Sequence, residues 1–175
     1  TSKECMLTTL EWHPFTCENC PERGAGAKVL RVVMKAEGVE VEFVFLPWSR
    51  AIAEGKTEKY IGYYPAWPED VQEGFMASVS LFKSPLGFIE PKDKPLKWDQ
   101  GLKDLKGKTI GSVQDYGNTK EFNDLIKEGV IKTEIVTSDD VNVKKVAGGR
   151  LDGAIIDINN AKWFLTTDFK AEAAK

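Results

Sequence analysis

The sequence lacks the features that mark membrane-spanning and nucleic-acid-binding proteins. None of its apolar runs approaches the ~20 residues that a transmembrane helix needs. Lysine and arginine number 24 against 27 aspartate and glutamate residues, the net charge is -3, and the basic residues form no stripe. Nucleic acid is therefore not an expected partner. The 42% hydrophobic and 29% charged residues are typical of a globular protein with one domain or two small ones.

Cysteine and histidine are scarce, with three cysteines and one histidine. Cys17 and Cys20 form a C-x-x-C pair, and His13 lies four residues before Cys17. No second C-x-x-C completes a zinc cage, and Pro21 stands where c-type haem attachment needs a histidine. The pair favours a local disulfide on a loop after the first strand, with free thiols and a metal site as alternatives. Cys5 is then the odd thiol, and we expect no metal and no cofactor.

One stretch that the sequence does contain, from Gly107 to Thr119, predicts a short strand, a glycine-containing turn and the start of a helix. We expect Asn118 as the N-cap of this helix and Gly129 as its stop. The first helical turn directs free N–H groups beyond the carboxyl end of the strand, where open α/β sheets bind ligands and anions are favoured. An ordinary strand-to-helix turn has the same pattern, so both interpretations stay open.

Strands and helices alternate in two halves of the chain. Pro- and Lys-rich residues around 90–97 separate the halves, so we predict an α/β protein with two lobes facing a cleft. The predicted division is 1–87 for the first lobe, 88–97 for a hinge, 98–170 for the second lobe and 171–175 for a tail. The predicted strands are 6–10, 39–45, 59–63, 109–113, 133–136 and 154–156, and the predicted helices are 25–37, 47–53, 119–128, 138–147 and 159–166.

Five segments resemble the extracellular solute-binding proteins of the polar amino acid type, which deliver ligands to ABC transporters in bacteria. They are, in chain order, EWHPF at 11–15, FLPWSRA at 45–51, SPL at 84–86, DLKGKTIG at 104–111 and GRLDGAIID at 149–157. The resemblance covers nearly the whole chain. It implies a two-lobed fold like that of the type II periplasmic binding proteins, with a mostly parallel sheet flanked by helices in each lobe.

The resemblance also implies what the protein binds, which partner it serves and where it is located. We expect a monomer that closes on a small polar ligand, resembling an amino acid or amine, and delivers it to an ABC permease. Its location would be periplasmic or extracellular, and because the sequence begins at Thr1 without methionine, we expect that a signal peptide has been removed. The family's chain normally returns to complete the first lobe, and we expect that return segment to be absent here.

Carried over to this sequence, the resemblance implies a set of ligand-binding residues. Trp12 would stack on the ligand with Trp48 opposite, and Asp157 would receive an amino group. Trp12 could instead be a core residue, and Asp157 could simply cap the following helix. The full predicted set is Glu11, Trp12, Trp48, Arg50, Tyr63, Tyr64, Trp67, Asn118, Thr119 and Asp157.

One departure from the family bears on the ligand. The family's threonine and arginine after the third strand are replaced by the sequence PEDV at 68–71, so the arginine that clamps a carboxylate is missing. We therefore expect cationic or neutral polar ligands, or a zwitterion if Arg50 and Asn118 hold one carboxylate.

Two other functions stay open at this point, a sensory input domain and a dehydratase of small acids. In a dehydratase, Glu11, His13 or Asp157 would be the acid or base. The spacing shows no pair of nucleophile and base, so we assign no catalytic residue.

Overall fold

The computed structural model describes residues 3–175 and divides into two compact units, Thr1–Lys83 and Ser84–Lys175. The described residues form two separate sheets, one of two strands in the first unit and one of four strands in the second. Residues 84–97 belong to the second unit, so the division falls earlier than the segment that we predicted as a hinge. A hinge role for 88–97 stays a prediction. Within residues 3–175, no helix combines the length and the apolar character needed to cross a bilayer.

The first unit is built on two parallel strands, paired in register from Lys3 with Val39 to Thr9 with Phe45. Strict alternation in the second strand directs Val41 and Phe43 into the core. The elements of this unit are β1 (Lys3–Thr9), a 3-10 turn (Pro21–Arg23), α1 (Ala25–Ala36), β2 (Val39–Phe45), α2 (Trp48–Gly55) and a second 3-10 turn (Pro68–Asp70).

The prediction of a third strand at 59–63 is wrong. Residues there make only one isolated bridge to β1, between Thr8 and Tyr63, and the chain then leaves the sheet. Gly62 adopts a positive φ of 147°, and Pro65 has no N–H to donate to a ladder. Extended pairing therefore ends after a few hydrogen bonds.

The second unit contains a mixed sheet with the strand order β3-β6-β4-β5. β4 runs parallel to β5 and to β6, whereas β3 is antiparallel to β6. The carboxyl ends of β4, β5 and β6 therefore lie at the same edge of the sheet. The elements are β3 (Leu86–Ile89), β4 (Thr109–Val113), α3 (Lys120–Lys127), β5 (Lys132–Val136), α4 (Asp139–Ala147), β6 (Gly153–Asp157) and α5 (Ile158–Thr166), with 3-10 turns at Leu102–Leu105 and Glu172–Ala174.

Both faces of this sheet are covered, and the strand β6 is buried along its whole length. Ile155 joins the cluster around Phe122 of α3, which is fully buried. Ile156, the next residue, joins Val143 of α4 and Phe164 of α5 on the other face. Because successive side chains of a strand point to opposite faces, this central strand supports helices on both sides.

Gly111 in β4 allows close packing against α4. A methyl group at this position would lie 2.2 Å from Asn142 Oδ1 and 2.7 Å from Leu151 Cδ1. The Asn142 side chain is buried and makes no hydrogen bond with the described residues. The space beside Gly111 is thus already filled by an amide group and a leucine methyl.

We predict that Gly111→Ala lowers the free energy of unfolding by about 1–3 kcal/mol, because the added methyl overlaps its neighbours. Adding Asn142→Ala to the same chain should restore part of this loss, since it removes the nearer overlap. Urea denaturation followed by circular dichroism measures both effects. A Gly111→Ala protein as stable as the parent would contradict the packing described here.

Candidate functional site

Polar side chains gather in the second unit where the parallel strands end. We call this group the carboxyl-edge cluster; it consists of Ser84, Ser112, Tyr116, Asn118, Asp139 and Asp157. Tyr116 follows β4 and donates a hydrogen bond of 3.1 Å to Asp139, which follows β5. Ser84 precedes β3 and donates one of 2.7 Å to Asp157, at the end of β6. Hydrogen bonds therefore connect loops from neighbouring strands.

Asp157 is the last residue of β6 and is 2% exposed. Its Oδ1 accepts a hydrogen bond of 2.8 Å from the backbone N–H of Asn160, so the side chain caps α5. Its Oδ2 accepts the hydrogen bond from Ser84. The capping role that the sequence left open is therefore present, and binding of a ligand's amino group stays a prediction.

Asp139 is a second buried carboxyl group, which the sequence analysis missed. It is the first residue of α4 and is 5% exposed. Its Oδ2 accepts the hydrogen bond from Tyr116, whereas Oδ1 accepts none from the described residues. Burial raises the pKa of Asp139 to about 7, the charges of Asp157 and Asp140 raise it further, and the Tyr116 hydrogen bond opposes this rise.

No lysine, arginine or histidine among residues 3–175 forms an ion pair with Asp139 or Asp157. Lys144 lies one helical turn after Asp140 in α4, and its Nζ instead pairs with Asp140 Oδ2 at 2.9 Å. The cluster thus holds two buried carboxyl groups without a cationic side chain beside them. Such groups are disfavoured in the charged state unless a cation or further hydrogen-bond donors approach them.

The start of α3 differs from the prediction by one residue. Asn118 is not the N-cap; Thr119 is, because its side chain accepts a hydrogen bond from the Phe122 N–H at 3.3 Å. Asn118 lies in the left-handed region with φ 50° and is buried. Its amide donates a hydrogen bond of 2.9 Å to the hydroxyl of Ser112. Asn118 therefore belongs to the polar cluster, next to the helix start.

In the first unit, the predicted aromatic residues Trp12 and Trp48 are both buried, at 8% and 5% exposure. Trp12 contacts Phe15 with ring centroids 4.5 Å apart, and Trp48 meets Tyr63 edge-on at 5.8 Å. Glu11 is exposed, and its Oε1 accepts a hydrogen bond of 2.8 Å from the Glu18 N–H. A role in stacking on a ligand stays a prediction for both tryptophans.

Tyr64 has a core role rather than a surface one. It belongs to the cluster formed by β1, β2 and α1, and its hydroxyl donates a hydrogen bond of 2.7 Å to the Gly26 carbonyl. Burial raises the pKa of this hydroxyl. Tyr64 therefore ties α1 to the chain after β1, and its predicted role in ligand binding stays a prediction.

Tyr63 and Trp67 help to form the turn around Asp70, in the sequence PEDV at 68–71. The Tyr63 hydroxyl donates to the Asp70 carbonyl at 2.8 Å and accepts from the Gln72 N–H at 3.1 Å. The Trp67 N–H donates to the buried Asp70 carboxylate at 2.9 Å. Asp70 thus stabilises a local turn, while Arg50 on α2 is exposed.

Cys17 and Cys20 form a disulfide with a sulfur–sulfur distance of 2.05 Å, on the loop that follows β1. Cys5, on β1 itself, is a half-buried free thiol.

The raised pKa of Asp139 predicts that the protein becomes less stable as the pH rises towards 7. Its pKa in the folded protein is about 7, against about 3.9 when unfolded, so the unfolded state loses this proton first. The free energy of unfolding should therefore fall by up to about 1.4 kcal/mol for each pH unit between those values.

Asp139→Asn should remove this part of the pH dependence, because the amide does not titrate and can still accept the Tyr116 hydrogen bond. Urea denaturation at pH 5 and pH 8 measures the difference, with the exposed Asp168→Asn as a matched control. Equal pH slopes for Asp139→Asn and the parent would show that Asp139 is ionised throughout this range.

Comparisons of sequence find no relative. No model of a known protein family matches the chain, and no curated protein matches it. Comparison of structures does find similar proteins, and the three described next are 14–20% identical to this chain.

An ancestral arginine-binding protein solved with arginine has 20% identity and a TM-score of 0.75, over 97% of this chain and 76% of that one. A periplasmic binding protein of an arginine transport system from Legionella pneumophila has 14% identity and a TM-score of 0.73, over 95% and 74% of the two chains. The periplasmic VFT2 domain of BvgS from Bordetella pertussis has 18% identity and a TM-score of 0.74, over 96% and 72%. The chain, with α/β architecture in both units, has the fold of the type II periplasmic binding proteins.

Proposed function

We propose that the protein is a solute-binding protein of the polar amino acid type, which binds a small ligand with a cationic group for delivery to an ABC permease. One observation carries this proposal: Asp139 and Asp157 are both buried at the carboxyl edge of the sheet, and no cationic side chain among residues 3–175 forms an ion pair with either of them. A ligand's ammonium or guanidinium group would supply the missing positive charge. Charge-assisted hydrogen bonds of this kind are about twice as strong as neutral ones.

The position of these carboxyl groups supports a binding role. Open α/β sheets bind ligands beyond the carboxyl ends of their strands, where the cluster lies. Carboxyl groups with strongly shifted pKa values concentrate at functional sites, since burial of an unpaired acid lowers stability. Two of the similar structures are arginine-binding proteins, and a guanidinium group can donate two parallel hydrogen bonds to a carboxylate.

The opposite end of a zwitterionic ligand needs hydrogen-bond donors. The start of α3 provides the positive end of a helix dipole close to Asn118 and Thr119. We propose that these residues, with the exposed Arg50 as a second candidate, hold a carboxylate group. The arginine clamp of the family is replaced by the turn around Asp70. A second anionic group on the ligand would therefore have no guanidinium group there to donate two parallel hydrogen bonds to it.

We also propose where the protein is located and that it is a monomer. We infer a periplasmic or extracellular monomer that binds its ligand without converting it. The similarity to a transport-system binding protein from Legionella pneumophila supports this reading. The similarity to the BvgS domain supports a second candidate, a periplasmic sensory input domain that binds the same class of ligand. Co-purification of the full-length protein with a permease would favour transport, whereas a covalently attached signalling domain would favour sensing.

A thermal-shift screen over amino acids, amines, small carboxylates and sugars tests the proposed ligand class. A ligand at 100 times its Kd adds about 2.7 kcal/mol of stability, which is easily measured. We expect the stabilising compounds to carry an ammonium or guanidinium group, with L-arginine, L-lysine and L-glutamine as first probes. Stabilisation by dicarboxylates or sugars alone would overturn the proposal, and chemical conversion of a hit would show that the protein is an enzyme.

We predict that Asp157→Asn weakens binding of the cationic ligand by about 2–5 kcal/mol, because it removes one member of a buried charge pair. Asparagine is a good N-cap, because its Oδ1 can accept from the Asn160 N–H while its Nδ2 donates to the Ser84 hydroxyl, so α5 should stay intact. Titration calorimetry measures the loss, and the exposed Glu69→Ala serves as a control that should change affinity little. Unchanged affinity in Asp157→Asn would show that the ligand's cation binds elsewhere.

A further inference from the structure

The loop after β1 brings together three side chains that the proposed function does not use. His13, Cys17 and Cys20 each place one nitrogen or sulfur atom within 4.8 Å of the others. Cys17 is buried, while His13 and Cys20 are half-buried and so can be reached from solvent. One imidazole and two thiols are the ligands that zinc prefers in proteins.

The backbone of this loop is held in place by hydrogen bonds that do not involve the disulfide. The fully buried Thr16 donates its hydroxyl to the Leu10 carbonyl at 2.7 Å. Trp12 and Thr16 exchange backbone hydrogen bonds of 2.9 and 3.0 Å, and the Cys17 N–H donates to the Arg23 carbonyl at 2.9 Å. Reduction of the disulfide would therefore leave the three side chains on a fixed frame.

Glu11 is placed to orient the histidine. Its Oε2 lies 3.8 Å from His13 Nδ1, while its Oε1 is fixed by the Glu18 N–H. A carboxylate near an imidazole ring restricts the orientation of that ring. The loop thus offers the three ligands and a group that orients one of them.

We propose that the reduced form of this loop binds one Zn²⁺ ion through His13, Cys17 and Cys20, with water in the fourth position. Bonds of ~2.3 Å to sulfur and ~2.0 Å to nitrogen place tetrahedral ligand atoms roughly 3.3–3.8 Å apart. The three ligand atoms now lie within 4.8 Å of one another, and the two sulfur atoms, bonded at 2.05 Å, must move apart after reduction to reach these values. A three-ligand site of this kind needs no second C-x-x-C, whose absence made the sequence favour a disulfide without metal.

The site is controlled by the redox state of the two cysteines. A dithiol gives two electrons and two protons to the Cys17–Cys20 bond and becomes a disulfide itself. Zn²⁺ then binds the two thiolates, and their two protons pass to solvent. Exchange with a second disulfide, which accepts the two electrons and becomes a dithiol, re-forms the Cys17–Cys20 bond and releases the ion. Metal binding and disulfide formation are thus mutually exclusive states of one loop.

Titration of the whole protein with Co²⁺, a spectroscopic substitute for Zn²⁺, tests the proposal. The protein is reduced with dithiothreitol, which is removed by gel filtration under argon, and the oxidised protein serves as the control. We expect one equivalent of Co²⁺ to give a sulfur-to-cobalt charge-transfer band in the reduced protein and none in the oxidised protein. Zn²⁺ should displace the cobalt. Absence of the band, or equal metal uptake by both forms, would overturn the proposal.

Three variants locate the site. Cys17→Ser should lose tight binding, whereas Cys5→Ser should retain it. His13→Ala preserves the disulfide in the oxidised protein, so its folding can be checked there before reduction. After reduction, it should bind Zn²⁺ at least about tenfold more weakly in competition with a chromophoric chelator. Parent-like affinity in His13→Ala would show that the histidine is not a ligand.

Discussion

The parallel pairing of β4 with both β5 and β6 is the constraint on which the proposed site depends. Because these strands run in one direction, the residues that follow them meet at one edge of the sheet. Tyr116, Asp139 and Asp157 lie at or shortly after the ends of three different strands, up to 41 residues apart in the chain, yet they interact directly or through their charges. A sheet with antiparallel neighbours would send these loops to opposite edges.

The same arrangement gives the cluster its electrostatic character. Both carboxylate oxygens of the buried Asp157 accept hydrogen bonds, from the Asn160 N–H and the Ser84 hydroxyl. Asp139 has only the Tyr116 hydroxyl, and the nearby charge of Asp157 further opposes its ionisation. A cationic ligand would favour the charged form of Asp139. The site is therefore less stable alone than it would be with a ligand, which is the usual relation between stability and function at binding sites.

The sequence predicted the regular elements well where a local pattern determined them. The strands at 39–45 and 109–113 begin and end where we predicted. The residues of each segment show the strand pattern without reference to the rest of the chain. The strand at 59–63 failed because Pro65 and the conformation of Gly62 end the pairing after one bridge. Local spacing could not distinguish Asn118 from Thr119 as the N-cap, since both residue types are good caps.

The candidate site was harder to predict than the fold, because burial and contacts depend on tertiary structure. Tyr64 follows a predicted strand end just as Trp12 does, but its hydroxyl is bonded to Gly26 in the core. Asp139 gave one signal that could have revealed it, an acidic residue three positions after the end of β5. Recognising that signal requires the strand order, which no single segment of the sequence contains.

The uptake or release of protons on ligand binding tests the central claim most directly. At pH 7, Asp139 with a pKa of about 7 is half protonated, and a cation bound beside it should lower that pKa. Titration calorimetry of the best ligand from the screen, in two buffers of different ionisation enthalpy, measures the protons exchanged. The account predicts release of up to about half a proton per ligand, abolished in Asp139→Asn. Binding with no proton release in the parent protein would contradict it.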